Sequence, residues 1–177
     1  MFSLIKKRRS IRVFQKRKVE KEKINQIMQA ALMSPSSKNN NPWKFMIIDD
    51  QIALQKISQA KKAGSQFLAN SPLAIVVLAD PERSDVWIED CSITSTFIIL
   101  AAQNLELGSC WVQIRKREHA DGSNAEEYIK ELLDIPNHLQ VPCVIAIGYP
   151  AEEKADKQVA QEKIKDVYYN KYGRTFF

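Results

Sequence analysis

The chain has 177 residues, of which 26 are Lys or Arg and 21 are Asp or Glu, and 45% of its residues are hydrophobic. This length and composition exclude an intrinsically disordered protein and a small disulfide-stapled scaffold, and they predict one globular domain over residues 1–177. No apolar run approaches the roughly 20 residues that a membrane-spanning helix needs, so a membrane protein is not expected.

Three cysteines, none of them in a C-x-x-C pair, and an N-terminus unlike a secretory signal predict a cytoplasmic protein with reduced thiols. The two histidines, His119 and His138, are not at ligand spacing with each other or with a cysteine, so no metal site is predicted. A Gly-x-Ser-x-Gly elbow and a glycine-rich phosphate loop are both absent. Any nucleotide must therefore be held without such a loop, and no catalytic side chain is assigned.

Positive charge is concentrated near the N-terminus. Residues 1–44 contain twelve Lys or Arg and two Glu, a net charge of +10, whereas the remaining residues have a net charge of −5. Such a block can bind nucleic acid, an anionic membrane surface or a phosphate-bearing small molecule, or it can be a solvated basic face. Charge alone leaves these alternatives open.

The N-terminal quarter predicts two helices, a loop and a strand. Apolar residues before KKRR predict a short helix with its cations near the C-terminal end, where the helix dipole favours them. Apolar residues at every third or fourth position predict a second helix over about 19–33, which Pro35 ends. The small and amide side chains of 34–42 predict a polar loop, and a strand follows at 44–49.

The middle of the chain predicts helices at 52–62 and 65–69 and then a strand at 73–79. This strand is apolar at consecutive positions, which is typical of a strand covered on both faces. The longest predicted helix spans 85–107 and ends at Gly108. Because its segment 93–102 is apolar on nearly all sides, we expect it in the centre of a domain or of a dimer.

The last third predicts a strand at 109–114, a charged break at 115–124, a helix at 125–133 and a strand at 141–149. The composition then changes. A charged segment after Pro150 leads to a tail with three tyrosines and two phenylalanines, so 151–177 is predicted to be an arm that docks on an apolar surface, such as that of a partner subunit.

Two polar segments are the candidates for chemistry. Arg8-Arg9-Ser10-Ile11-Arg12 offers guanidinium groups, which hold phosphate with paired hydrogen bonds. The loop that begins at Ser34 offers hydroxyl and amide groups, which can bind the polar edge of a flat heterocycle. Together they suit a phosphorylated ring system, although an ordinary helix end and a polar turn would give the same residues.

With these segments in place, the chain resembles the FMN-dependent nitroreductase-like family. The resemblance rests on four motifs in the family's order: RRSIRVF, SPSSKNNNPWKF, LGSCWVQ and VIAIGYP. It implies an α+β homodimer with a central mixed β-sheet flanked by helices, exchange of the C-terminal arm between subunits, and one FMN in each of two clefts at the subunit interface.

The resemblance also implies the residues that bind FMN. Arg8, Arg9, Ser10 and Arg12 match the segment that holds the phosphate, the ribityl chain and the pyrimidine edge. The loop that reaches FMN from the partner subunit is matched by Ser36, Ser37 and Asn39. The strand end at the reactive edge of the flavin is matched by Trp111, Val112 and Gln113. A polar residue near the pyrimidine is matched by Gln66, and a late lysine on the phosphate by Lys163 or Lys157.

The function implied is an oxidoreductase in which NAD(P)H reduces FMN and the flavin then reduces a nitroaromatic, a quinone or a similar electron-poor acceptor, by a ping-pong hydride mechanism. Gln113 and Ile114 stand where the family often has a glycine pair beside the flavin N5, so the backbone approach can differ here. Two other classes stay open: a non-catalytic FMN-binding protein and, ranked well below it, a nucleic-acid-binding basic module.

Overall fold

The computed structural model describes residues 1–177, and its elements follow the predicted order. The four strands are β1 (Trp43–Ile48), β2 (Leu73–Ala79), β3 (Gly108–Gln113) and β4 (Gln140–Gly148). The six helices are α1 (Phe2–Lys7), α2 (Lys21–Leu32), α3 (Gln51–Ile57), α4 (Trp87–Asn104), α5 (Ala125–Leu132) and α6 (Gln161–Ile164). The fold is α+β, as predicted.

The strands form one sheet in the order β1-β2-β4-β3, and every pairing between these strands is antiparallel. The prediction of a mixed sheet was therefore wrong. The helix α4 carries the chain from β2 to β3, and these two strands do run parallel, as expected of a helical crossover. They are not neighbours, because β4 inserts between them and runs antiparallel to both.

Helices cover both faces of the sheet and give the protein two cores. One core joins α3 and α5 to the sheet around Leu54, Ile57 and Ile129. The other joins α2 and α4 to the opposite face around Ile27 and Ile98. Because successive strand residues point to opposite faces, β2 is buried at all seven positions and contributes to both cores. This confirms the prediction that β2 is covered on both sides.

The helix α3 ends at Ile57, five residues before the predicted end. The Ser58 hydroxyl donates to the carbonyl of Gln55 (2.7 Å), and the buried Ser65 hydroxyl donates to the carbonyl of Ser58 (2.8 Å). That carbonyl would have to accept a backbone N–H if the helix continued. The serines therefore divert the chain into a loop, which a 3-10 turn at Gln66–Asn70 closes.

Gly108 is not the C-cap of α4. That helix ends at Asn104, and the residue with a positive φ in the turn after it is Glu106 (63°). Gly108 instead begins β3, where it faces Gly148 of β4. A Cβ atom on Gly108 would lie 2.8 Å from the Cβ of Ile11. The glycine is therefore required by the close approach of the N-terminal segment.

The predicted burial of α4 on nearly all sides is found only in part within one chain. Its inner face is buried, while Ile93 and Phe97 on the outer face are 38% and 37% exposed. No helix has both the length and the apolar character needed to cross a membrane.

Beyond Pro150 the chain lies along the N-terminal segment and then ends in an exposed aromatic tail, in which the backbone of Tyr168 pairs with that of Thr175.

Candidate active site

A cleft of about 530 Å³ lies between the N-terminal segment and the segment that follows β4. This volume falls within the range of roughly 300–1,000 Å³ that is usual for small-molecule sites. The residues that line it are Arg8, Arg9, Ser10, Arg12, Lys154, Asp156, Lys157 and Gln158. The structure thus brings together the four N-terminal residues that the sequence predicted to bind a phosphorylated cofactor.

Two glycines set the position of the N-terminal wall of the cleft. Ile11 and Phe14 are buried in the sheet core, and Gly108 and Gly148 leave the space that these side chains fill. A Cβ on Gly148 would lie 3.0 Å from the ring of Phe14. Because alternate residues of an extended segment point to opposite sides, burial of Ile11 directs its neighbours outward, toward the cleft.

The second wall is tied to the first by the backbone. The N–H of Ala151 donates to the carbonyl of Val13 (2.9 Å), and the N–H of Lys157 donates to the carbonyl of Lys6 (2.8 Å). The segment after β4 therefore runs antiparallel to the N-terminal segment, and the two ends of the chain build one site.

Side chains of the second wall also hold the backbone of the first. The Glu152 carboxylate accepts the N–H groups of Arg12 (2.6 Å) and Val13 (3.2 Å). The Lys154 ammonium donates to the carbonyl of Ser10 (2.6 Å) and lies 3.2 Å from Glu152. The hydrogen bond from the Arg12 backbone, with that from Lys154, lowers the pKa of Glu152 below its usual value. Glu152 is thus held as an anion that orients the arginine segment.

The cleft is strongly cationic. Five of its eight lining residues carry positive charge and only Asp156 carries negative charge. The Arg9 guanidinium donates to the carbonyl of Ala155. A concave surface with several cations and few carboxylates attracts a multiply charged anion such as a phosphate ester.

Phe67 lies near Arg12, whereas Gln66, which precedes it, turns to its own loop. The Arg12 guanidinium carbon is 5.9 Å from the centre of the Phe67 ring. The Gln66 side-chain oxygen accepts the N–H groups of Gly64 (2.8 Å) and Ser65 (3.2 Å), so this side chain stabilises its own loop. Gln66 is exposed and does not line the cleft.

The outer edge of β3 offers free backbone donors next to the cleft. The N–H of Ile11 donates to the carbonyl of Ser109 (3.0 Å), which shows that the backbone of Ser109 faces away from β4. Alternation along the ladder turns the backbone of Trp111 and Gln113 to the same edge. Val112 is buried in the core, and the same alternation turns its backbone toward β4, so it offers no group to this edge.

The side chains of Trp111 and Gln113 are linked. The Trp111 indole N–H donates to the side-chain oxygen of Gln113 (3.0 Å), and the Gln113 amide donates to the carbonyl of Arg115 (3.0 Å). The end of β3 is therefore fixed by side chains where the family pattern has glycines.

The loop at 34–42 is anchored by a buried carboxylate. Asp90, in the first turn of α4, is only 2% exposed; it accepts the N–H of Ser37 (2.8 Å) and the hydroxyl of Ser84 (2.7 Å). Ser36 accepts the N–H of Asn41 (3.0 Å). Three loop residues have the positive φ angles that asparagine tolerates better than most residues, namely Lys38, Asn39 and Asn41.

This loop is rigidly placed, but Ser36, Ser37 and Asn39 do not line the cleft within one chain. Lys163 is also outside it, on the exposed helix α6, whereas Lys157 lines it. Spacing alone left these two lysines equivalent. The backbone bond from Lys157 to Lys6 separates them, because it holds Lys157 in the second wall.

Sequence reasoning missed Lys154 and Glu152, which lie in a charged segment that read as solvated surface. Their partners, Ser10 and Arg12, are about 140 residues away in the chain. The unequal distribution of charge could have indicated them. Carboxylates and lysines directly after Gly148-Tyr149-Pro150 could have been matched with the basic N-terminal segment.

The cleft fits the phosphate end of FMN better than its ring. Cations and the Ser10 hydroxyl suit a phosphate and a ribityl chain. None of the eight lining residues is hydrophobic, although a flavin ring needs apolar walls. Within one chain, the nearest candidates for such a wall are Phe67 and the β3 edge at Trp111. We conclude that these residues fit FMN, with part of the ring site left open by a single subunit.

Comparison with known proteins gives a consistent result. The model of the Nitroreductase family matches residues 5–149. A protein of Archaeoglobus fulgidus, whose name gives NADH dehydrogenase/NAD(P)H nitroreductase as a provisional assignment, is 41% identical over 155 residues, which are 85% of this chain and 86% of that protein. The FMN reductase [NAD(P)H] of Bacillus subtilis is 26% identical over 186 residues, with 92% and 72% of the two chains covered.

Solved structures show the same relationship. A structure described as an FMN-dependent nitroreductase from Clostridium difficile R20291 superposes with a TM-score of 0.94 and 46% identity. The superposition covers 97% of this chain and all of the other. The match therefore includes the segment after β4 that forms the second wall of the cleft.

Proposed function

Because the chain belongs to the nitroreductase family, we propose that it reduces electron-poor acceptors such as nitroaromatics and quinones by a ping-pong mechanism. It is an NAD(P)H-dependent oxidoreductase with FMN as cofactor, in line with its relatives. The observation that carries the proposal is the cationic cleft in which Arg8, Arg9, Ser10 and Arg12 meet the segment after β4. The acceptor class and the order of steps are inferred from the family.

When bound, FMN supplies the redox chemistry: it takes a hydride from the nicotinamide and passes electrons to the acceptor. The protein's part is to bind and to orient. Arg8, Arg9 and Arg12 are suited to the phosphate together with Lys154 and Lys157, because several cations offset its double negative charge. The same positive field favours the more negative, reduced state of the cofactor.

The free edge of β3 supports the role assigned to Trp111 and Gln113, while Val112 lies between them with its backbone toward β4. Backbone N–H groups of Trp111 and Gln113 face this edge and can donate to a flat ring laid against it. Because the bound flavin would supply the redox chemistry itself, no ionisable side chain of the protein is required for it. One cleft that receives the nicotinamide and the acceptor in turn accounts for the ping-pong order.

We also propose that the working unit is a homodimer. The single chain leaves part of the ring site open, and it exposes Ile93 and Phe97 on α4. A second subunit that covers α4 would bring its loop at 34–42 toward the cleft, so that Ser36, Ser37 and Asn39 contact FMN from the partner. The aromatic tail, exposed at Tyr172 and Phe177, would dock on that subunit.

The test compares FMN with riboflavin, which lacks the phosphate. We expect Arg12→Ala to weaken FMN binding by roughly tenfold or more, since a charge-assisted hydrogen bond is removed, and to change riboflavin binding little. Lys18→Ala is the matched control, because it removes a cation of the same basic segment outside the cleft. An unchanged dissociation constant for FMN would remove the phosphate assignment.

A second measurement separates an enzyme from a non-catalytic binding protein. We expect bound FMN to lose its visible absorbance when NADH or NADPH is added without oxygen, and to regain it when a quinone or nitroaromatic follows. FMN that binds but stays oxidised would support the binding-protein alternative.

A further inference from the structure

A second basic cleft, of about 330 Å³, shares no lining residue with the first. Two segments form it, one in the loop after α3 and one after β3. The backbone N–H of Lys62 donates to the carbonyl of Glu118 (3.2 Å) and ties the two segments together. Its lining residues are Lys61, Lys62, Ala63, Lys116, Arg117 and Glu118.

The charges in this second cleft are not balanced. Lys62 is paired with Glu118 at 2.7 Å, but Lys61, Lys116 and Arg117 have no carboxylate within 4.0 Å. Burial, with the charge of Arg117, lowers the pKa of Lys61 below its usual value. Bringing these cations together costs free energy unless an anion binds between them. The arrangement is therefore that of an anion site.

The turn Gln66–Asn70 connects the surroundings of the two clefts, because the Phe67 ring lies 5.9 Å from the Arg12 guanidinium carbon and the Gln66 side-chain amide donates to the carbonyl of Lys61 (3.4 Å). Burial raises the pKa of the Cys110 thiol, while the charges of Arg12 and Lys154, from the first cleft, oppose this shift. Lys61, from the second cleft, is also near enough to interact electrostatically with Cys110. Arg117 comes four residues after Gln113, the last residue of β3. The second cleft therefore lies on the side of the first cleft at which Arg12 approaches Phe67.

We propose that the second cleft binds the 2′-phosphate of NADPH and so makes this enzyme prefer NADPH to NADH. This inference rests on the proposed function, because it assigns the second cleft to the electron donor. NADPH and NADH differ only in this phosphate monoester, which carries up to two negative charges. Nitroaromatic and quinone acceptors carry no such group, so the unpaired cations fit the donor rather than the acceptor.

Lys116 and Arg117 are the residues to change, because both are exposed and neither is paired with a carboxylate. The Lys116→Met/Arg117→Met double variant removes two positive charges from the second cleft. Lys16→Met/Lys18→Met removes the same charge from an exposed segment outside both clefts and controls for long-range electrostatics. Arg117→Lys keeps the charge and tests whether a cation suffices.

The first readout is binding of adenosine 2′,5′-bisphosphate against adenosine 5′-monophosphate by calorimetry. We expect the parent protein to bind the bisphosphate at least about tenfold more tightly, and the double variant to bind the two equally. The second readout is the ratio of kcat/KM for NADPH to that for NADH, which we expect to fall about tenfold in the double variant only.

Equal binding of the two adenosine probes by the parent protein would overturn the proposal, as would a double variant that keeps the discrimination. An equal loss of kcat/KM with both donors would overturn the 2′-phosphate assignment and point to the pyrophosphate that both share. The adenosine measurement does not need bound flavin. If FMN failed to bind or stayed oxidised, the proposed function would fail while the binding comparison would still decide whether the second cleft takes a 2′-phosphate.

Discussion

Gly108 and Ile11 are in contact so close that a methyl group on Gly108 would lie 2.8–2.9 Å from three carbon atoms of the Ile11 side chain. This contact joins the start of β3 to the segment that carries the arginines of the cleft. The branched side chain of Ile11 is buried and has no free direction in which to move. The position of the N-terminal wall therefore depends on a residue with no side chain.

We expect Gly108→Ala to lower the free energy of unfolding by about 1–3 kcal/mol, the usual cost of overpacking, and to weaken FMN binding. Gly122→Ala is the control: a Cβ there meets nothing within 4 Å, and its cost is limited to the strain of a φ of +92°. Urea denaturation and flavin titration measure the two effects. Full FMN affinity in Gly108→Ala would show that the contact does not position the cleft.

The buried carboxylate of Asp90 gives a second prediction. Asp90→Asn replaces one acceptor oxygen with an NH₂ donor, so either the Ser37 N–H or the Ser84 hydroxyl loses its acceptor. We expect a loss of about 1–3 kcal/mol in unfolding free energy and faster proteolysis within 34–42. Glu89→Gln makes the same charge change at an exposed position of the same helix turn. Equal effects of both changes would attribute the loss to helix electrostatics instead.

Acid stability gives a third prediction. The Tyr149 hydroxyl donates to Glu20 (2.7 Å), and this bond, with the pairing to Arg17, lowers the pKa of Glu20 from its ordinary value of 4.5 to about 2. A lowered pKa stabilises the fold above pH 4.5, and this contribution is lost as the pH falls from about 4.5 to about 2.

Glu20→Gln should therefore be less stable than the parent at pH 6, and the difference should shrink toward pH 2. Urea midpoints at several pH values measure it. Glu22→Gln, at an exposed neighbouring position, serves as the control. A difference that stays constant with pH would contradict the assigned cause of the shift.

The position of the late lysine on the phosphate gives a fourth prediction. We expect Lys157→Met to weaken FMN binding by roughly tenfold and Lys163→Met to change it little, because only Lys157 lines the cleft. Both residues are exposed lysines of the same segment, so each is a control for the other. The reverse order of effects would mean that Lys163 reaches the cofactor in the assembled dimer.

The dimer can be tested on α4. Phe97→Asp places a charge on the exposed apolar face of this helix, and we expect it to convert the dimer into a monomer, since an unpaired charge in an interface is costly. Ile52→Asp, at an apolar residue that is 66% exposed on α3, should leave the dimer intact. Size-exclusion chromatography with light scattering gives the mass, and a monomeric parent protein would contradict the proposed assembly.

The sequence predicted most of the elements because their signals are local. The apolar run of β2 predicted both ends of that strand correctly. The periodicity of α2 predicted both ends of that helix within two residues. The end of α3 was missed because two serine hydroxyls, one of them from outside the helix, determine it. The role of Gly108 was missed because its partner, Ile11, is remote in the chain.

The candidate site was predictable only on the side that carries a compact motif. Arg8, Arg9, Ser10 and Arg12 are contiguous, and they line one cleft. Lys154 joins them through a hydrogen bond that spans 144 residues, and no spacing rule reports such a contact. The placement of Ser36, Ser37 and Asn39 against FMN remains a prediction, because it depends on a second subunit.

The cleft is built from the first and the last parts of the chain, and this has a consequence for a shortened chain. The sheet is complete once β4 has been made, but the wall that carries Lys154 and Lys157 follows it. Residues 1–150 contain every residue of both cores, whereas Lys154 and Lys157 of the cleft lie after them. With the phosphate assignment proposed above, we expect a chain cut after residue 150 to keep its sheet and to lose most of its affinity for FMN.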